Sequence, residues 1–172
     1  MNFEEKTLEK TYVYKGKILN LRNDTVELPN GKKAKREIVE HSGGSAILCE
    51  HNDKILLVKQ YRYAYQQEIY EIPAGKINPG EDAMETAKRE LYEECGVIAK
   101  TLEKIYEVYP TPGYTEEIIR IYRAKDLTFT KNQPDEDEFL SYEWIEKSRL
   151  KEMVKKGEIK DAKTLICLLT VL

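Results

Sequence analysis

The segment Asp82 to Cys95 constrains this chain more than any other, because it reads as a helix with carboxylates where a helix is usually apolar. It follows the turn Asn78-Pro79-Gly80, carries acidic residues in its first turn, is rich in helix formers and stops at Gly96. At about 100° per residue, Ala83, Ala87 and Leu91 make one stripe at i, i+4 and i+8. Glu90 and Glu94 fall on or beside that stripe, whereas Glu85, Lys88 and Tyr92 point away. Glutamates on a solvated face would need no explanation, but glutamates turned toward the protein are costly to desolvate unless cations or donors compensate them. Arg89 offsets one of them. Carboxylates three and four residues apart can converge on a hard divalent cation suited to phosphate chemistry, and Mg²⁺ is the natural candidate, with Mn²⁺ able to substitute.

The rest of the chain bounds what such a helix belongs to. At 172 residues the length is that of one ordinary domain. With 41% hydrophobic and 34% charged residues the chain is apolar enough to fold and too polar to live in a membrane. Its formal charge of −3 is spread in both signs, and the longest basic cluster, Lys32-Lys33-Ala34-Lys35-Arg36, is short and broken, so no nucleic-acid partner is expected. Cys49, Cys95 and Cys167 are odd in number and widely spaced, which points away from disulfides and zinc and toward a reducing cytoplasm. Met1 to Lys10 lacks an apolar stretch of signal-peptide length and no run of about 18 apolar residues occurs, so neither export nor a membrane span is expected.

Short runs of β-formers from Thr11 to His41, with Leu28-Pro29-Asn30-Gly31 as a hairpin signal, predict an N-terminal antiparallel meander. Ser45 to Glu50 and Lys54 to Tyr61 read as core strands about the turn His51-Asn52-Asp53, and Glu68 to Ile72 as a strand running into Pro73-Ala74-Gly75 and then a loop punctuated by Asn78-Pro79-Gly80. Further strands are predicted at Leu102 to Tyr109, Glu117 to Ala124 and Phe139 to Trp144. Two helices follow, Ser148 to Lys156 and Asp161 to Leu172, the second capped by Asp161. The acidic loop Asp135-Glu136-Asp137-Glu138 is the other concentration of carboxylates. The twelve tyrosines are assigned to strand faces and an interface, Trp144 to the core, and His41 and His51 to no chemistry.

Gly75, five residues, Glu81, seven residues, then Arg89-Glu90-Leu91-Tyr92-Glu93-Glu94-Cys95-Gly96-Val97 matches the complete Nudix box, with no position departing from the pattern. Many fixed residue types at fixed spacing over 23 residues make the resemblance specific. The resemblance implies a Nudix α/β/α sandwich behind the N-terminal meander, and cleavage of a diphosphate joining a nucleoside to another group. It implies Glu90, Glu94 and the Ala74 carbonyl as metal ligands with Glu93 nearby, Arg89 as the residue orienting the glutamates, and Glu81 as a brace of the loop. Gly75 and Gly96 are explained by turn and cap geometry in either reading. The helix supplies no obvious base; in the ADP-ribose branch of the family a loop glutamate serves as base or further metal ligand, and Glu136 and Glu138 are both candidates.

Outside the box, three segments resemble that ADP-ribose branch: Arg36-Glu37-Ile38-Val39-Glu40-His41, Lys59-Gln60-Tyr61-Arg62-Tyr63 with Glu71-Ile72-Pro73-Ala74-Gly75, and Tyr109-Pro110-Thr111-Pro112-Gly113-Tyr114. Together with the box the similarity runs from about Tyr14 to Trp144. It implies Ile18, Arg36 and Glu37 at the adenosine end, Arg62 as a phosphate contact, and Lys76, Pro112, Gly113 and Glu116 as further substrate contacts. It also implies a homodimer that exchanges N-terminal strands, with residues 1–42 as the dimerisation and adenosine-binding meander and 43–172 as the hydrolase domain. The expected activity is Mg²⁺-dependent hydrolysis of ADP-ribose, and of related ADP-sugars, to AMP and ribose 5-phosphate. The alternatives are a Nudix pyrophosphatase of another nucleoside-diphosphate sugar and a sensor that binds ADP-ribose without cleaving it.

Overall fold

Turn chemistry and strand alternation account for most of the architecture. The computed structural model describes residues 2–134 and 138–172, whose contacts gather into two units, one running to Gly43 with Tyr109–Ile118 added, the other holding Gly44–Val108 and Ile119–Leu172.

In the first unit, β3 (Leu19–Glu27) is the spine. β1 (Lys6–Glu9) and β2 (Tyr12–Lys15) pair antiparallel with its two halves, and β4 (Lys33–His41) pairs with its whole length, Leu19 opposite His41 through Glu27 opposite Lys33. The hairpin turn falls where Leu28-Pro29-Asn30-Gly31 predicts it: Gly31 takes φ +79° and its N–H donates to the Leu28 carbonyl at 2.8 Å. The chain returns to this unit at 109–118, where Val39 donates to the Tyr114 carbonyl (2.7 Å) and accepts from Glu116 N–H (3.1 Å).

The second unit is a mixed seven-stranded sheet of β5 (Gly44–His51), β6 (Lys54–Arg62), β7 (Gln67–Glu71), β8 (Ala74–Lys76), β9 (Val97–Val108), β10 (Ile119–Phe129) and β11 (Leu140–Glu146). Its main path is β11-β6-β5-β10-β9, with β7 on β6 and β8 on β5; β10 and β5 are parallel and the other pairs antiparallel. Asn52 and Asp53 both take positive φ, the backbone that lets a two-residue hairpin match strand twist.

Period-two alternation then splits the apolar residues between two faces. Ile47, Cys49, Leu56 and Val58 pack with Ala87, Leu91 and Cys95 of α1 (Ala83–Cys95). Ala46, Leu48, Ile55 and Leu57 pack with Leu150 and Met153 of α2 (Lys147–Lys155) and Cys167 and Leu168 of α3 (Ala162–Val171). This is an α/β/α sandwich, as the resemblance implies. Two local expectations change. Ala74–Lys76, not expected as a strand of its own, forms the short β8 because β5 offers it an edge, and β9 starts at Val97 because the chain enters the sheet directly from the Gly96 cap. Among the described residues no helix is long and apolar enough to cross a membrane.

Candidate active site

The acidic helix is fixed at both ends. Asp82 caps α1 by accepting from Met84 and Glu85 N–H at 2.8 and 2.9 Å. Gly96 ends it in the left-handed region at φ +63°, where an added Cβ would lie 2.4 Å from the Thr130 carbonyl. Between them the angular reading holds: Glu90 and Glu94 are 6% and 2% exposed, beside the fully buried Ala87 and Leu91, while Glu85 and Lys88 face solvent.

Arg89 organises the polar side of this helix. Its Nε and Nη2 donate to the two Glu81 oxygens at 2.9 and 3.1 Å, and its Nη1 reaches Glu90 Oε1 at 2.7 Å and Glu93 Oε2 at 2.9 Å. Nη2 also donates to the Lys76 carbonyl at 3.4 Å, tying β8 to the helix. The hydrogen bond from Arg89 holds the Glu81 carboxyl down at about 2, so the brace stays ionised at any physiological pH.

Glu90 and Glu94 lie in the opposite electrostatic condition. Burial pushes Glu90 up to about 7, against the pull of Arg89, with the charges of Glu138 and Glu93 adding to the rise. Burial likewise raises Glu94 well above the carboxylate range, helped by the charges of Glu90 and Glu138 and opposed by a 3.1 Å hydrogen bond from Ala74 N–H. Gly75 makes the close approach of β8 possible: a Cβ there would stand 1.8 Å from Glu90 Oε1. Two buried, mutually repelling carboxylates with a backbone strand laid against them form an all-oxygen donor set that fits a hard divalent cation. Among the described residues no three acidic, His or Cys side chains close into a metal cage by themselves. Such a cation would therefore take further oxygens from elsewhere, the Ala74 carbonyl and substrate phosphates being of the right kind.

The loop after β10 is stitched to the end of α1. Thr130 N–H donates to the Gly96 carbonyl (2.7 Å), Asn132 Nδ2 to that of Glu94 (3.2 Å) and Gln133 N–H to that of Glu93 (3.0 Å). The loop continues to Glu138, whose charge is felt by both helix glutamates; Glu136 lies outside the described residues. Arg62, expected at a phosphate, gives Nε and Nη2 to the buried Glu71 at 2.5 and 2.9 Å, with its side chain still 42% exposed.

In the first unit the structure brings Ile18 and Glu116 together in a pocket of about 250 Å³, with Asn20, Glu40 and His41. Arg36, Glu37, Pro112 and Gly113 do not line it. Arg36 shares the strand face of Glu40 but spends its guanidinium on Glu5 at 2.5 and 2.8 Å, and Glu37 points to the opposite face. Pro112 and Gly113 sit exposed in a turn closed by Tyr114 and Thr115 N–H on the Thr111 carbonyl. A buried cluster not evident from sequence joins residues 92 apart, Lys163 meeting Glu71 and Thr164 meeting the Ile72 N–H. A lysine early in an otherwise apolar helix was the available signal.

A NUDIX domain profile matches residues 40–166, and a nucleoside diphosphate sugar hydrolase N-terminal domain profile matches residues 5–39. The chain is 43% identical to an ADP-ribose pyrophosphatase of Bacillus subtilis (strain 168), over 95% of this chain and 90% of that one. It is 41% identical to a methanol dehydrogenase activator of Bacillus methanolicus, again over 95% and 90%. A crystal structure of an ADP compounds hydrolase has the same fold, with a TM-score of 0.85 at 22% identity over 99% of this chain and 94% of that one.

Proposed function

Because the chain belongs to the Nudix family of hydrolases, whose members use divalent metal ions, we propose that it hydrolyses ADP-ribose to AMP and ribose 5-phosphate with Mg²⁺ as cofactor, Mn²⁺ substituting. The observation that carries this reading is the buried pair Glu90 and Glu94, held by Arg89 and Ala74 on a chain 43% identical to an ADP-ribose pyrophosphatase.

In this reading Glu90, Glu94, Glu138 and the Ala74 carbonyl hold the cation. When bound, the cation supplies charge neutralisation on the diphosphate and acidifies a coordinated water. Arg89 keeps Glu90 and Glu93 in place through a guanidinium locked by Glu81, so their oxygens need no reorganisation during the reaction. Glu138 accepts the proton of the attacking water, a role its coupling to both helix glutamates supports and which Glu136 shares as a candidate. Arg62 meets the diphosphate with the accessible part of its guanidinium and Lys76 adds a second cation.

Ile18 and Glu116, with Arg36, Glu37, Pro112 and Gly113, are assigned to the remainder of the substrate. Residues 1–42 form the dimerisation and adenosine-binding part and 43–172 the hydrolase part. Two copies exchange their N-terminal strands, which β1 and β2 favour by being exposed along their whole lengths with Tyr12, Val13 and Tyr14 open to solvent. Three buried, free thiols suit a reducing cytoplasm.

A substrate panel at fixed Mg²⁺ tests the reading. ADP-ribose is expected to give the largest kcat/KM, with ADP-glucose as a slower side substrate. A GDP-sugar or a dinucleoside polyphosphate turned over with far higher efficiency would overturn it.

A further inference from the structure

Glu71 closes β7 as a buried carboxylate, and two separate parts of the chain, β6 and α3, converge on it. Arg62, at the end of β6, meets both of its oxygens. Lys163, in the first turn of α3, places Nζ 2.5 Å from Glu71 Oε2 and 3.0 Å from Asp161 Oδ1. Thr164, wholly buried, donates its hydroxyl to Asp161 Oδ2 (2.6 Å) and accepts from Ile72 N–H (2.8 Å). The start of α3 is thereby tied to the strand that leads into Ala74 and Gly75.

The placement of Lys163 is costly in two ways. Lysine is seldom this buried, and a cation in the first turn opposes the helix dipole. Asp161 caps the helix without it, because the N–H and hydroxyl of Thr164 both donate to Oδ2, and Lys163 meets only the other oxygen, Oδ1. What Lys163 supplies is a second cation on Glu71. Glu71 is then not neutralised by Arg62 alone, so it can grip the guanidinium with two hydrogen bonds while the charge of Arg62 remains available outward. The side-chain exposures show this asymmetry, 42% for Arg62 against 5% for Glu71, and the charge of Glu94 acts on Arg62 as well.

We propose that Lys163 is a positioning residue for the reaction: acting through Glu71, it orients Arg62 toward the substrate diphosphate and keeps its positive charge uncommitted. The inference rests on the reading of Arg62 as a diphosphate contact, so its test separates the two.

Steady-state kinetics with ADP-ribose and Mg²⁺, with a thermal melt for each protein, compare Arg62→Ala, Lys163→Met, Lys163→Arg and the double variant Arg62→Ala/Lys163→Met. Loss of a charge-assisted hydrogen bond to the phosphates is expected to raise KM about tenfold in Arg62→Ala. Lys163→Met is expected to raise KM roughly fivefold with kcat within about twofold, and to add almost nothing once Arg62 is gone. Lys163→Arg, which keeps the charge, is expected to recover most of the loss. An equal penalty for Lys163→Met with and without Arg62 would show a purely structural role and overturn the proposal. A raised KM in Arg62→Ala beside an unchanged one in Lys163→Met overturns the proposal alone, whereas an unchanged KM in Arg62→Ala overturns the reading beneath it. Should Lys163→Met fail to fold, Lys163→Gln, which keeps a donor without the charge, enters the same comparison with the same expected and overturning results.

Discussion

Gly75 is the residue where geometry and chemistry meet most tightly, because the missing side chain is what lets β8 lie against Glu90. Gly75→Ala forces the Glu90 carboxylate aside, and displacement of a catalytic group by about 1 Å costs roughly a hundredfold in rate. We expect kcat/KM to fall by about that factor, with a stability loss of only about 1–3 kcal/mol from local overpacking. Kinetics beside urea denaturation checks both numbers. Glu71 makes a pH prediction. Burial, its largest single influence, pushes its carboxyl up, but the hydrogen bonds from Arg62 and the charge of Lys163 outweigh it and hold the group below the ordinary 4.5. A depressed folded-state value stabilises the fold above the ordinary pKa and loses that contribution as pH falls through the folded value. Glu71→Gln is therefore expected to cost roughly 3 kcal/mol near neutrality, by stranding the buried Lys163 cation, and progressively less below about pH 4.5. Urea unfolding of both proteins across that range measures it, and a gap that widens in acid would contradict the assignment.

Among the elements, α1 was legible from sequence because its boundaries are local: Asp82 caps it, Gly96 ends it, and the 100° map places Glu90 and Glu94 without any knowledge of the sheet. The same holds for the two hairpin turns, written in Asn, Asp and Gly. β8 was not legible, since three residues beside a proline and a glycine have no periodicity and become a strand only by pairing with β5. Neither was the tie between β7 and α3, because nothing in residues 71 and 163 taken separately announces that they meet. The acidic loop stands between these cases. Its charge was visible, but its attachment to α1 through Thr130, Asn132 and Gln133 depends on backbone contacts that no motif encodes. In the proposed reading this loop supplies the base, and Glu138→Gln is expected to lower kcat by about 10²- to 10⁴-fold, the usual range for a general base, with Glu136→Gln closer to wild type. Measuring the two variants side by side decides between them, and equal, mild losses would remove the loop from the reaction.

For the whole molecule, the division of labour follows from where each unit keeps its polar groups. The sandwich buries carboxylates against a glycine-lined strand, the cation platform of the proposed reading, while the N-terminal unit holds a polar pocket with Ile18 and Glu116 on its wall. Family membership fixes the kind of reaction, and in the proposed reading the buried pair Glu90 and Glu94 is what makes the protein cleave the nucleotide rather than merely hold it. The most direct test adds Mg²⁺ to metal-free protein with ADP-ribose and follows AMP release, with Glu94→Gln alongside. We expect AMP and ribose 5-phosphate to appear in equal amounts only once Mg²⁺ is present, and turnover to be nearly lost in the folded variant. Tight binding of ADP-ribose with no AMP released by the wild-type protein, or equal rates in the two proteins, would contradict the account.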